Sequence, residues 1–189
     1  MIQAKTPTFQ LTIAGLLIAL GTVIPIFSPI KIMLEPASFT LASHVAIFIA
    51  MFISPGMAAA VSVGTTLGFF IGGFPVVIVL RAASHIVFAT SGAFYLQKKK
   101  EQKSSFAARR GFSFFVALAH ALCELTVVSI FYFDGGMGTA YYQKGFLTSV
   151  LLLVGLGTVV HSMVDFEIAY AVVAALRKSG AMLANRRPR

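Results

Sequence analysis

Residues 111–133, GFSFFVALAHALCELTVVSIFYF, decide the class of fold. A membrane-spanning helix needs about 20 mostly apolar residues, and this stretch reaches that length with Glu124 as its one charged residue. We therefore predict a helix here that crosses a lipid bilayer.

The composition of the chain agrees with a bilayer as its solvent. Hydrophobic residues make up 58% of the 189 residues, charged residues only 11%, and the mean hydropathy is +0.88. Soluble domains carry about 25% charged residues, so a soluble protein is excluded. The single cysteine, Cys123, excludes an intramolecular disulfide and a cysteine metal motif.

Similar apolar runs on both sides of residues 111–133 predict about six transmembrane helices. The predicted helices cover residues 8–27, 39–53, 56–71, 76–97, 111–133 and 145–176. Loops are expected at 28–38, 98–110 and 134–144, and a basic tail at 177–189. The sequence thus predicts an all-α membrane protein with one membrane-embedded domain over residues 1–189.

The basic residues predict the orientation. Twelve of the fifteen lie in the N-terminal leader, in the 98–110 loop or in the 177–189 tail, and only Lys31 and Lys144 lie in loops on the opposite side. Basic residues concentrate in cytoplasmic loops, so we expect both termini, the 98–110 loop and the tail in the cytoplasm. Because these residues flank apolar runs rather than cover a face, no nucleic-acid partner is expected.

Ionisable residues inside the predicted helices are candidates for function. Each costs about 2.5–3.5 kcal/mol in hydrocarbon on insertion scales, and therefore faces a cavity or a partner. Helical rise places four of them in the outer half of the membrane, where they can line a pocket that opens outward. They are His44, Arg81, His85 and Glu124.

Two interpretations of this group stay open. Arg81 and Glu124 form a structural ion pair, or Arg81 grips a ligand carboxylate in the bidentate manner of arginine. His85 is expected to orient Arg81 or a polar ligand group, and His44 to be either an interfacial residue or a ligand contact. His161 and Asp165 are expected deeper, toward the cytoplasm, as packing or partner-facing residues.

Two further features have a functional and a structural interpretation each. The 134–144 loop, DGGMGTAYYQK, is either a mobile lid that covers a ligand with Tyr141 and Tyr142 or a passive turn. Gly15 and Ala19 have the small-xxx-small spacing that lets another helix approach closely. That helix belongs either to this chain or to a partner subunit.

These residues suggest two classes of function. The first is a solute-binding membrane subunit that depends on other subunits for energy, since the chain has no GxxxxGK[ST] phosphate-binding motif. The second is a histidine-ligated haem or metal protein, because His44, His85, His120 and His161 lie on four different helices. The expected depth difference between His44 and His161 argues against the second class. An intramembrane enzyme has no supporting signature. We expect no enzyme activity, no catalytic residue, no metal and no cofactor in this chain.

A family resemblance rests on two stretches and on the six-helix layout. The stretches are SFTLASHVAIFIAMFISPGMAAAVSVGTTLGFF at 38–70 and FPVVIVLRAASHIVFA at 74–89. With the Gly15-xxx-Ala19 spacing, the chain resembles the S components of bacterial energy-coupling factor (ECF) vitamin transporters. In this family helix 1 often carries AxxxA, so Gly15 is a departure that keeps the small size.

The resemblance implies a mechanism and partners. An S component binds a water-soluble vitamin outside the cell and docks on a module of two ATP-binding subunits and a transmembrane coupling subunit, which Gly15 and Ala19 would contact. Ligand contacts come from the outer ends of helices 4 to 6, in agreement with Arg81, His85 and Glu124. The expected vitamin is a carboxylate, pantothenate first and niacin second, and the expected location is the bacterial cell membrane.

Overall fold

The structure, a computed structural model, describes residues 6–34, 37–99 and 105–179. Its elements follow the apolar runs of the sequence, with a β-hairpin after the first helix. In chain order they are α1 Pro7–Phe27, β1 Lys31–Leu34, β2 Ala37–Thr40, α2 Val45–Ile53, α3 Pro55–Ile71, α4 Val76–Lys98, α5 Phe106–Phe133, α6 Thr139–Phe146, a π-helical segment Leu147–Leu156 and α7 Gly157–Lys178.

Side-chain caps set the start of three helices. Thr6, Ser54 and Ser105 each accept a hydrogen bond at their hydroxyl oxygen from the backbone N–H three residues later, at 3.1 to 3.2 Å. Such caps satisfy an N–H group that has no partner within the helix. Because Ser105 caps α5, that helix begins at Phe106 and not at 111, so the end of the predicted 98–110 loop is helical.

Four stretches of helix are long and apolar enough to cross a membrane. They are Pro7–Phe27, Val76–Lys98, Phe106–Phe133 and Thr139–Lys178, which joins α6, the π-helical segment and α7. Pro55–Ile71 is a shorter apolar helix. Large apolar side chains on these helices point outward, as shown by Leu11, Ile71 and Phe133, which are 75%, 84% and 74% exposed. The prediction of a multi-pass helical membrane protein is confirmed.

The shortest of the apolar helices lies at the centre of the bundle. All nine residues of α2 are buried. This burial agrees with a helix that is too short to span a bilayer and is covered by other parts of the protein. Its Phe48 ring packs against Phe88 on α4 and Phe166 on α7, with centroid distances of 5.8 and 5.5 Å. This packing holds α4 and α7 around α2 and so positions the polar groups described below.

The segment before α2 differs from the prediction. Residues 28–38 were expected to be a loop and helix 2 to begin at 39, but β1 and β2 pair antiparallel with Lys31 opposite Thr40. Ala42 has a φ of 66°, which a helix does not allow, so α2 begins only at Val45. The hairpin is an addition to the predicted helical fold.

The last predicted helix, 145–176, also differs in detail. Helix begins at Thr139, inside the predicted 134–144 loop, and Gly145 interrupts it with a φ of 73°. Glycine adopts this left-handed conformation without steric cost. The interruption bends the chain between α6 and the π-helical segment, a feature that hydropathy does not reveal.

Candidate functional site

A buried ion pair joins α4 to α5. Arg81 Nη2 donates a hydrogen bond of 2.8 Å to Glu124 Oε2, and the Thr158 hydroxyl on α7 donates one of 2.7 Å to the same oxygen. Glu124 is 3% exposed. The structural ion pair, one of the two interpretations of Arg81 and Glu124, is therefore present. The other interpretation, a ligand role for Arg81, is compatible with it.

Three histidine rings lie beside this pair. His44, His85 and His120 contact one another edge to face, with centroid distances of 4.7 to 4.9 Å. His85 Nε2 and His120 Nε2 each lie 3.5 Å from Glu124 Oε1. We call His44, His85, His120 and Glu124 the histidine cluster.

His161 and Asp165 also join this region, contrary to the expectation that they lie deeper. The His161 ring lies 5.1 Å from that of His44. The depth estimate was wrong because it started helix 2 at residue 39. Residues 39 and 40 belong to β2 of the hairpin instead. His44 therefore lies at the start of α2, where its ring contacts that of His161.

Asp165 positions the start of α2. Its Oδ1 accepts a hydrogen bond of 2.8 Å from the Ala42 N–H, and its Oδ2 accepts one of 2.8 Å from the His44 N–H. His44 Nδ1 lies 3.2 Å from Oδ2. The i, i+4 spacing of His161 and Asp165 showed that they share a helix face, but no sequence signal indicated that this face meets His44.

Several buried nitrogens in this region have unused hydrogen-bonding capacity. Among the described residues, Arg81 Nε, both ring nitrogens of His85 and His120 Nε2 make no hydrogen bond. Buried polar groups are hydrogen-bonded in the great majority of cases. Unpaired groups on three side chains around one point indicate a place for a ligand or an ion.

A cleft of about 290 Å³ leads to Arg81 from the end of the bundle where α4 begins and α5 ends. Its lining is mostly apolar, with Arg81 as the charged side chain and Tyr141 as a polar one. The lining residues are Pro75, Val77, Ile78, Arg81, Val128, Gly136, Met137, Gly138 and Tyr141. The predicted pocket residues Arg81 and Tyr141 both line this cleft, whereas His44, His85 and Glu124 are not among its lining residues. Glu124 is bound to Arg81, and His85 lies 3.5 Å from Glu124.

Tyr142 does not line this cleft. Its hydroxyl donates a hydrogen bond of 3.1 Å to the Tyr132 carbonyl and accepts one of 3.2 Å from the Met137 N–H. These contacts tie the loop after α5 to the start of the last helical stretch. Tyr142 therefore supports the loop that carries Met137 and Gly138 into the cleft wall.

A second groove, of about 390 Å³, lies between the end of α1 and the segment that follows β2. Its lining is apolar and includes Val23, Phe27 and Leu41. None of the described side chains that line this groove is charged.

Gly15 and Ala19 lie on an exposed face of α1. A Cβ atom placed on Gly15 would meet no other atom within 4 Å in the described part of the chain. The small-residue spacing is thus not used for packing at Gly15 within residues 6–34, 37–99 and 105–179.

The spacing of the rings does not suit a haem held between His44 and another histidine. The His44 ring lies within 5.1 Å of the other three rings by centroid, and a porphyrin with axial histidines on both faces needs a wider gap. A small ion remains compatible with this geometry.

Comparison with known proteins gives one informative match. The chain is 43% identical over 176 residues to the niacin transporter NiaX of Lactococcus lactis subsp. cremoris (strain MG1363), which covers 93% of this chain and 78% of that relative. No family model matches the chain, and no solved structure matches it.

Proposed function

The chain belongs to the S components of ECF vitamin transporters, and from that premise we propose that its vitamin is niacin, captured as nicotinate from outside the cell. It is a multi-pass protein of the bacterial cell membrane that serves vitamin uptake. The expectation that ranked pantothenate first is not supported. The observation that carries the choice of niacin is the 43% identity to a niacin transporter over nearly the whole chain.

The cleft provides complementary chemistry for nicotinate. Arg81 has a buried Nε without a hydrogen-bond partner among the described residues, so it keeps a donor for a carboxylate although Nη2 is bound to Glu124. Val77, Ile78 and Val128 line the same cleft and offer apolar surface to an aromatic ring. Pockets of this kind combine apolar walls with a few polar groups that set orientation.

The other predicted site residues take supporting roles in this proposal. Tyr141 forms part of the wall, and Tyr142 holds the loop that closes it. Glu124 pairs with Arg81, and His85 contacts Glu124 and the His44 ring, so these residues determine the charge around Arg81.

Transport in this proposal needs three partner subunits. Two ATP-binding subunits hydrolyse ATP, and a transmembrane coupling subunit contacts the exposed face of α1 at Gly15 and Ala19. The chain crosses the membrane six times with both termini in the cytoplasm, as its basic residues favour. The cleft then opens to the outside, where the vitamin is captured.

Titration calorimetry of the purified chain tests the substrate. Nicotinate is expected to bind, and nicotinamide, which has the same ring without the negative charge, to bind at least about 100-fold more weakly, since charged hydrogen bonds are the stronger ones. Pantothenate is the matched carboxylate control and is expected not to compete. Tight binding of pantothenate with no binding of nicotinate would overturn the proposal.

A further inference from the structure

The histidine cluster has the spacing of a metal site. One ligand atom from each of His44, His85, His120 and Glu124 lies within 4.8 Å of the others. We propose that these four residues bind a divalent transition-metal ion, best matched by Zn²⁺, and that this ion supplies the positive charge that balances the vitamin carboxylate. The second half of the inference rests on the proposed function, and the first half does not.

The distances suit an ion and leave no room for an organic group. Zinc–nitrogen and zinc–oxygen bonds of about 2.0–2.2 Å in a tetrahedral site put neighbouring ligand atoms about 3.3–3.5 Å apart. Glu124 Oε1 lies 3.5 Å from His85 Nε2 and 3.5 Å from His120 Nε2. These contacts are longer than ordinary hydrogen bonds, and each Nε2 offers a lone pair when the proton of its ring is on Nδ1.

Neighbouring groups orient two of the imidazoles toward the centre of the cluster. His120 Nδ1 lies 3.2 Å from the Ser162 hydroxyl, and His44 Nδ1 lies 3.2 Å from Asp165 Oδ2. When Nδ1 of each ring donates its proton to these acceptors, Nε2 is left as the atom that can bind a metal. A carboxylate behind a histidine is a common arrangement around metal-binding histidines.

Glu124 is oriented in the same way. Arg81 and Thr158 both donate to its Oε2, which leaves Oε1 facing His85 and His120. The carboxylate therefore has one oxygen held by donors and one oxygen free to bind an ion.

The set of ligands indicates which ion. Three imidazoles and one carboxylate suit zinc and its neighbours among the transition metals. Magnesium and calcium prefer oxygen ligands, and this cluster offers one carboxylate. Four protein ligands complete the coordination that zinc prefers, so the ion would act as a fixed charge and would need no bond to the vitamin.

The charges of the region call for such an ion once nicotinate is bound. Arg81 is already neutralised by Glu124, and Asp165 adds a second buried carboxylate that is 0% exposed. With neutral imidazoles, which metal binding requires, the region carries one net negative charge and would repel an anionic vitamin. A divalent cation changes that charge to plus one, and nicotinate then brings it to zero. Metal and vitamin should therefore strengthen each other's binding, by equal factors in both directions.

A metal-binding titration tests the site without any vitamin. The wild-type chain is treated with a chelator, freed of it, and titrated with Co²⁺, whose absorption spectrum reports ligand geometry, and then with Zn²⁺ in competition. We expect one Co²⁺ per chain with the spectrum of a four-coordinate site, displaced by Zn²⁺. Failure of the folded wild-type chain to bind either ion overturns the proposal.

Variants then assign the ligands. His120→Gln is expected to weaken Co²⁺ binding at least about 10-fold, the lower end of what loss of a metal-site group costs. His161→Gln is the control, because His161 contacts His44 but belongs to the second candidate group of His44, His161 and Asp165 and not to the histidine cluster. Retained Co²⁺ binding in His161→Gln supports the histidine cluster as the metal site. Loss of Co²⁺ binding in His161→Gln, with Co²⁺ binding retained in His120→Gln, would place the ion outside the cluster and overturn this assignment.

Calorimetry with nicotinate separates the two halves. Chelator treatment is expected to weaken nicotinate binding by a factor between about 5 and 150, the usual range of coupling between sites, and Zn²⁺ to restore it. Nicotinate affinity unchanged by chelator overturns the charge-balance role while leaving the niacin proposal intact. Metal binding without nicotinate binding under any condition leaves the metal site and overturns the niacin proposal.

Discussion

Asp165 on α7 accepts a hydrogen bond of 2.8 Å from the backbone N–H of His44, which lies 121 residues earlier in the chain. The same carboxylate accepts the Ala42 N–H at 2.8 Å. Through these two bonds the last helix determines where α2 begins and how His44 enters the histidine cluster. The contact links the segment after the hairpin, the central helix α2 and the histidine cluster.

Asp165→Asn is expected to lower the free energy of unfolding by about 2 kcal/mol. Its amide keeps one acceptor oxygen and turns an NH₂ group toward a backbone donor, so one hydrogen bond to a charged acceptor is lost and a buried N–H is left unpaired. The thermal midpoint can be followed by labelling Cys123, the single and partly buried thiol, with a maleimide dye as the bundle opens. Asp134→Asn, in the exposed turn after α5, is the control and should leave the midpoint unchanged. If the thermal midpoint of Asp165→Asn were the same as that of Asp134→Asn, Asp165 would not anchor α2.

Gly157→Ala is expected to destabilise the hairpin against α7. A Cβ atom at Gly157 would fall on the ring of Phe39, and overpacking of this kind costs about 1–3 kcal/mol. Thermal unfolding of Gly157→Ala, Phe39→Leu and the double variant forms a double-mutant cycle. The double variant should lose less stability than the sum of the two single variants, because the smaller side chain removes the collision.

Gly111→Ala is the control for this cycle. A Cβ atom there meets nothing within 4 Å in the part of the chain that the structure describes. Alanine has the higher helix propensity, so this variant should be neutral or more stable by up to about 1 kcal/mol. Strict additivity at Gly157 and Phe39 would contradict the predicted contact.

Arg81→Lys is expected to weaken nicotinate binding about 10-fold or more while the chain stays folded. Lysine keeps the positive charge next to Glu124 but loses the planar, bidentate donor geometry of the guanidinium. Arg81→Ala should abolish detectable binding. It also leaves the Glu124 carboxylate buried without its cation, so it should be less stable than Arg81→Lys.

Calorimetry and the Cys123 thermal assay distinguish these two effects on the Arg81 variants. Retention of wild-type affinity in a folded Arg81→Ala variant would remove Arg81 as the anchor of the carboxylate.

Ala19→Leu is expected to impair niacin uptake by cells without impairing niacin binding by the purified chain. The added bulk would separate the exposed face of α1 from a coupling subunit that approaches the small residues Gly15 and Ala19 closely. Ala171→Leu, which adds the same bulk to an exposed position on α7, is the matched control and should support normal uptake. Uptake of labelled niacin and calorimetry together check the prediction. Normal uptake by Ala19→Leu would place the partner surface elsewhere.

The membrane class and most helix positions could be predicted from the sequence. Hydropathy is a property of consecutive residues, so an apolar run such as 111–133 indicates by itself that a lipid bilayer surrounds it. The i, i+4 spacing of His120 and Glu124 indicates that they share a helix face. Arg81 and Glu124 were both placed in the outer half of the membrane, from helix ends predicted at 76 and 133, and α4 begins at Val76 and α5 ends at Phe133 as predicted.

The meeting of His44 with His161 and Asp165 was decided by the tertiary structure alone. Its cause is the β-hairpin, which replaces the first residues of the predicted second helix and changes the depth of His44. Hydrogen bonds across 121 and 123 residues hold that arrangement, and hydropathy and helical spacing carry no information about contacts so distant in the chain. The sequence by itself therefore determined the solvent, the helices and the polar residues they bury, while the packing of the hairpin against α7 decided which of those residues share a site.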